Sequence, residues 1–266
     1  MQGLIDTHTH LFLEEFDEDR ELVLSRAKEA GVDGMFMPNI DDTSINALLS
    51  LCNTHENCFP LIGFHPTSVD GHWKERLAVV ERWLRSAQPF YGIGEAGLDF
   101  YWDDTYKKEQ IEVLEKQIEW ALEFDLPLIL HCRKAYPELI SVLSAYKRTT
   151  LYGIFHSFTG GDGDSIFLPE LLDFSSFMLG INGVVTFKKS VLPELLQNNI
   201  PLGRVVLETD SPYLSPVPYR GKRNESAYVA KVAEKLSEIY GETPEKIVQT
   251  TLQNALTIFR KAKMYF

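Results

Sequence analysis

Leu4-Ile5-Asp6-Thr7-His8-Thr9-His10 is the stretch on which the reading of the fold turns. A short apolar run stops in a polar segment, and the glycine-rich phosphate turn that usually follows the first strand of a doubly wound sheet is missing. Further apolar runs of strand length cover 32–38, 59–64, 90–93, 126–130, 151–155, 177–185 and 205–207, so the chain holds eight in all. Helix-period stretches lie over 17–30, 43–53, 73–87, 105–124, 136–146, 191–197, 226–240 and 244–262. The clearest is 105–124, where Ile111, Leu114, Ile118, Ala121 and Leu122 mark one apolar face. Asp125-Leu126-Pro127 ends it, because proline cannot continue a helix. Strands alternating with helices imply a parallel sheet with right-handed crossovers. Eight such repeats in about 250 residues predict an α/β fold, the (β/α)8 TIM barrel. No linker, low-complexity tract or shift of composition divides the chain, so residues 1–266 are expected to form a single domain.

Composition narrows the function classes. With 44% hydrophobic and 24% charged residues the chain is neither disordered nor fibrous. Its formal charge of −12 gives no global attraction for a polyanion, so a nucleic-acid substrate would have to be held locally. Cys52, Cys58 and Cys132 are too few for a disulfide framework, which fits a reducing compartment. Met1-Gln2-Gly3-Leu4-Ile5-Asp6 lacks a basic region followed by an apolar one, and no run is long enough to span a bilayer. A cytoplasmic monomer with no membrane association is expected.

The polar residues fall where the apolar runs stop: His8 and His10, His65, Glu95, His131, His156, then Glu208 and Asp210. In a barrel these are the C-terminal strand ends, where active sites form. Five of the seven histidines occupy such positions, with only His55 and His72 elsewhere. His8 and His10 are two apart, so an extended strand points both imidazoles to the same side. A His-x-His pair alone is a weak metal signal. Together with Glu95, His131, His156 and Asp210 it supplies enough N and O ligands for two divalent ions, and the lack of cysteine ligands argues against a structural zinc site. The two oxygens of Glu95 suit a bridging role between ions about 3.5–4 Å apart. Asp210 can bind one ion while orienting a water, with Glu208 supporting it from the same side. The Cys52-x2-His55-x2-Cys58 spacing lacks a fourth ligand and reads as core packing. Cys132, opposite His131, is expected to pack under the helices.

These strings, with Gly63-Phe64-His65-Pro66, Gly92-Ile93-Gly94-Glu95-Ala96-Gly97-Leu98-Asp99, His131-Cys132-Arg133, His156-Ser157-Phe158-Thr159-Gly160 and Glu208-Thr209-Asp210-Ser211-Pro212, resemble the TatD deoxyribonuclease family of metal-dependent hydrolases. The resemblance runs in the family's order through almost the whole chain. It implies an amidohydrolase-type TIM barrel with two divalent ions, Mg, Mn, Zn, Ni or Co, and DNA hydrolysis, commonly as a 3′-to-5′ exonuclease. It also implies that His8 and His10 are the first metal pair, Glu95 the bridge, His131 and His156 ligands of the second metal, Asp210 the carboxylate beside the nucleophilic water, and His65 a residue facing the substrate. The family's Arg-Asn-Glu-Pro is here Arg223-Asn224-Glu225-Ser226, and serine is expected to cap the helix start in place of proline. The stretch Gly160-Gly161-Asp162-Gly163-Asp164 is a second departure, which bears on loop shape.

Arg133, Lys134, Lys188, Lys189, Arg220, Lys222 and Arg223 all follow expected strands and would rim the mouth, with Tyr213, Tyr219 and Trp102 as stacking surfaces. The expected substrate contacts are His65, Arg133, Lys188, Arg223 and Tyr213, and the expected catalytic groups are Asp210, Glu95 and His65. Single-stranded or 3′-end DNA is the expected substrate, with RNA open. A hydrolase of another ester or amide, such as aminoacyl esters on RNA, would use the same residues. A non-catalytic metal-binding scaffold would have no need of the whole set.

Overall fold

Strands and helices alternate from end to end in the computed structural model, which describes residues 3–102, 104–161 and 163–266. Met1, Gln2 and the Asp162 of the glycine-rich stretch lie outside the described residues. The elements are β1 (Leu4–Asp6), α1 (Arg20–Glu29), β2 (Val32–Pro38), α2 (Ile45–Cys52), β3 (Cys58–Leu61), α3 (Trp73–Leu84), β4 (Ile93–Asp99), α4 (Lys107–Phe124) and β5 (Leu128–Arg133). They continue with α5 (Tyr136–Ser144), β6 (Gly153–Phe155), α6 (Leu168–Asp173), β7 (Phe177–Ile181), α7 (Leu192–Asn198), β8 (Val205–Leu207), α8 (Val229–Tyr240) and α9 (Pro244–Ile258).

All neighbouring strands are parallel, in one arc of β1-β2-β3 and another of β4 to β8. Backbone bonds join the arcs at two seams. Ile62 N donates to Gly92 O (3.0 Å) and Gly94 N to Ile62 O (2.9 Å), while Thr7 N donates to Leu207 O (3.0 Å) and Asp210 N to His8 O (2.9 Å). The Asp6 carboxylate strengthens the second seam by accepting from the Thr209 amide (2.9 Å) and hydroxyl (2.6 Å). The fold is the expected TIM barrel. Ile5, Phe36, Phe59, Leu61, Ile129, Ile154 and Val206 converge in an apolar cluster with Phe259, whose ring stacks on Phe36 at 3.6 Å. That plug fills the barrel below the strand ends and leaves only its upper rim polar.

Several boundaries differ from the sequence reading. β4 runs on from Ile93 to Asp99 and β5 to Arg133, so Glu95 and His131 sit within strands rather than after them. The glycines of β4 permit a close strand approach: a Cβ on Gly97 would collide with the His131 carbonyl. β7 stops at Ile181, followed by a 3-10 turn over Gly183–Thr186. α6 was not expected, because six residues are too few to show a period. Ser226 does not cap α8. It starts a 3-10 turn over Ser226–Tyr228, and its buried hydroxyl donates to Thr9 Oγ1 at 3.3 Å.

α4 reaches across to position the rim from behind. Gln117, fully buried, accepts from Phe64 N (2.8 Å) and donates to Phe64 O (3.1 Å), just before His65. Gln110, two turns earlier on the same face, grips Asp99 likewise, accepting from its N (2.9 Å) and donating to its O (3.1 Å).

Candidate metal centre

Glu95 is the hub on which the histidines converge. Its Oε2 lies 3.2 Å from His8 Nε2 and 3.7 Å from His10 Nε2. Its Oε1 lies 2.9 Å from His131 Nδ1, 3.5 Å from His65 Nε2 and 3.7 Å from His156 Nε2. Asp210 Oδ1 stands 3.7 Å from both His10 Nε2 and His156 Nε2, and 3.9 Å from His8 Nε2. His8, His10 and Glu95 place ligand atoms within 4.8 Å of one another, as do His65, Glu95 and His131, and also His8, His156 and Glu208.

The far nitrogens of two rings are hydrogen-bonded to acceptors, and that of His156 lies close to a carboxylate. His10 Nδ1 faces Pro38 O at 3.2 Å, His131 Nε2 faces Asp99 Oδ2 at 2.9 Å, and His156 Nδ1 lies 3.1 Å from Glu208 Oε2. Metal-binding histidines are held in this way, because an acceptor on one nitrogen fixes the tautomer and turns the other nitrogen inward. His65 is arranged the other way round: Thr67 N donates to its Nδ1 at 3.2 Å, which places the ring proton on Nε2. In that tautomer His65 is a hydrogen-bond donor toward the centre.

Burial, and then His156, hold His8 well below its ordinary pKa, and burial brings His10 down to about 4. Both imidazoles are neutral, yet their Nε2 atoms sit 3.2 Å apart facing one carboxylate oxygen. Two neutral imidazole nitrogens and a carboxylate oxygen converging on one point fit a cation, and the residues present suit a divalent metal. Burial opposes charge on His131 and His156 as well. Hydrogen bonds to Asp99 and Glu95 nevertheless raise His131 to about 9, and the fields of Glu208, Asp210 and Glu95 raise His156 to about 10. Burial likewise works against the Glu95 carboxylate, but His65, His8 and His156 hold it well below the usual range.

A cavity of about 1160 Å³ opens above the centre, with His10, His65, Glu95, His131, His156 and Asp210 among its lining residues. His8 is fully buried and lies outside that lining. Arg133, Lys188 and Tyr213 reach the cavity, whereas Arg223 does not. Its guanidinium donates to Glu15 O (2.6 Å) and Asp19 Oδ2 (2.8 Å) and lies over the Phe16 ring, tying the segment after β8 to the one before α1. Glu208, expected beside Asp210, instead accepts from Ser157 N at 2.7 Å and faces His156. Cys132 lines the cavity wall instead of lying wholly beneath the helices. Asp99 was missed, although Glu95, Gly97 and Asp99 alternate on one face of β4 once that strand is traced to its end.

The family model described as TatD related DNase matches residues 5–260. The chain belongs to this TatD-related family. A relative named as the uncharacterized metal-dependent hydrolase YabD, from Bacillus subtilis strain 168, is 36% identical over 97% of this chain and 99% of its own. The 3′-5′ ssDNA/RNA exonuclease TatD of Pectobacterium atrosepticum is 32% identical over 97% of this chain and 100% of its own. The crystal structure of YjjV, a TatD homolog from Escherichia coli K12, superposes with a TM-score of 0.87 at 28% identity, covering 97% of this chain and 98% of that one. Membership of the TatD-related family agrees with the histidine and carboxylate cluster at the strand ends. No helix among the described residues is long and apolar enough to cross a membrane.

Proposed function

We propose that this TatD-related protein is a divalent-metal-dependent nuclease that removes nucleotides from the 3′ end of single-stranded DNA, and of RNA. The observation that carries the reading is the division of Glu95, with Oε2 turned to His8 and His10 and Oε1 to His131, His65 and His156. His8, His10, Glu95, His131, His156 and Asp210 would hold two divalent ions. Such ions lower the pKa of a bound water and offset charge on phosphoryl oxygens.

Asp210, facing the same centre, accepts the proton of the attacking water and orients it. His65, with its proton on Nε2, donates to a phosphoryl oxygen or to the leaving oxygen. Arg133, Lys188 and Tyr213 hold the chain at the cavity wall. Every one of these groups comes from one chain, and the reading takes the protein to act as a monomer. All three cysteines are free, which fits a cytoplasmic setting.

The test is a time course on 5′-labelled single-stranded DNA, after chelator stripping and readdition of Mg or Mn, comparing wild type with Glu95→Ala. A metal-dependent ladder that shortens from the 3′ end and vanishes in the variant is the expected result. Intact DNA with fully metallated protein would reject the nuclease reading and point to other esters.

A further inference from the structure

The cavity mouth carries two cation-aromatic pairs that the chemistry at Glu95 does not use. At the end of β5, the Arg133 guanidinium lies 3.9 Å from the ring centre of Tyr101 and 5.2 Å from that of Trp102, both on the loop after β4. The two rings meet edge to face at 5.0 Å, and Trp102 is 68% exposed. On the loops after β7 and β8, the Arg220 guanidinium lies 3.7 Å from the Phe187 ring centre. Trp102, Arg133, Phe187 and Arg220 all line the same cavity as Glu95 and Asp210. Because the strands run β4-β5-β6-β7-β8 around the arc, the pairs stand apart across the mouth, with the end of β6 between them.

The mouth also carries cations that no carboxylate among the described residues neutralises. Acidic residues outnumber basic ones 38 to 26, yet Arg133, Lys188, Lys189 and Arg220 have no carboxylate partner among the described residues. A guanidinium lying over a ring keeps its charge and its outer face available, and is weakly hydrated there. Rings at the mouth of a cavity beside unpaired cations, exposed at Tyr101 and Trp102 and half-buried at Phe187, are what single-stranded nucleic acid requires, since the bases stack and the phosphates pair. In a duplex the neighbouring base pairs already cover both faces of each base.

We propose that Trp102 with Tyr101 and Arg133, and Phe187 with Arg220, are two base-stacking stations that splay the unpaired nucleotides flanking the scissile phosphate. Lys188 and Lys189 hold the backbone between them. This rests on the nuclease reading and adds to it the reason for single-strand selectivity: the substrate is engaged through bases as well as phosphates.

The test is fluorescence anisotropy of manganese-loaded protein, each form carrying Asp210→Asn so that the probe stays intact, with 5′-fluorescein hexathymidylate and with the same oligomer lacking its two 3′-terminal bases. Trp102→Ala and Phe187→Ala should each weaken binding about tenfold on the complete probe and less than twofold on the abasic one. Trp102→Phe should restore most of the loss. Equal losses on both probes, or none on either, would overturn the proposal. Manganese-dependent cleavage of the complete probe by wild type is scored separately. Base-dependent binding without cleavage sinks the nuclease reading while keeping the stations, and cleavage with base-independent binding does the reverse.

Discussion

The Asp99 carboxylate lies 2.9 Å from His131 Nε2, while the other nitrogen of the same ring lies 2.9 Å from Glu95. His131 thereby links a buried carboxylate behind its ring to one at the heart of the centre. Asp99→Asn removes the charge that orients this ring. It should weaken metal binding about 10- to 100-fold, the usual scale for losing such a partner. Calorimetric titration of stripped protein with Mn2+ checks this, and an affinity within twofold of wild type would show that Asp99 does not matter.

Metal uptake should displace protons. Before binding, His131 and His156 are held protonated at neutral pH, at about 9 and about 10, whereas His10 at about 4 and His8 are already neutral. Protons compete with metal only at sites raised above the ambient pH, so affinity should rise as pH rises from 6 toward about 9. Calorimetry at pH 7 in two buffers of different ionisation enthalpy should find at least one proton released per molecule. Identical heats in both buffers would contradict it.

Replacing Asp210 with Asn keeps the shape and removes the proton acceptor. Turnover should fall about 100- to 10,000-fold, with metal content by elemental analysis unchanged. Normal turnover in that variant would remove the general-base role from Asp210.

Gln117→Leu leaves the Phe64 amide and carbonyl buried without partners, at a cost of about 1–3 kcal/mol for each. Urea unfolding should show that loss. Because His65 follows Phe64 directly, turnover in the folded protein should fall as well, while Mn2+ affinity at His8 and His10 is kept. An unchanged unfolding midpoint would mean that backbone movement or water replaces the glutamine.

Strand number and helix alternation are legible in the sequence because apolar period is a local property. The boundaries of β4 are not, since Gly92-Ile93-Gly94-Glu95-Ala96-Gly97 has weak strand propensity and only the neighbouring β5 makes it a strand. The histidines could be gathered into one site because each follows or closes an apolar run. Arg223 could not be placed, because its partner Asp19 is 204 positions away. Asp99 and Pro38 were hidden, and Glu208 was assigned to Asp210 instead of His156, for a related reason: a group behind a ring is identified by direction, and direction needs the register of the strand.

The two seams give the centre a mechanical role. His8 and His10 follow the first stave of the barrel and Asp210 the last, on either side of one joint, while His65 and Glu95 flank the other. A divalent ion gripped by these side chains would act as a hoop around the top of a cask, holding together the joints with the fewest backbone bonds. Chelation should therefore loosen the mouth before the apolar plug around Phe259, and amide exchange at Ile62, Gly94 and Asp210 should quicken first. In this molecule the ions that cut the substrate would also keep its doorway in shape.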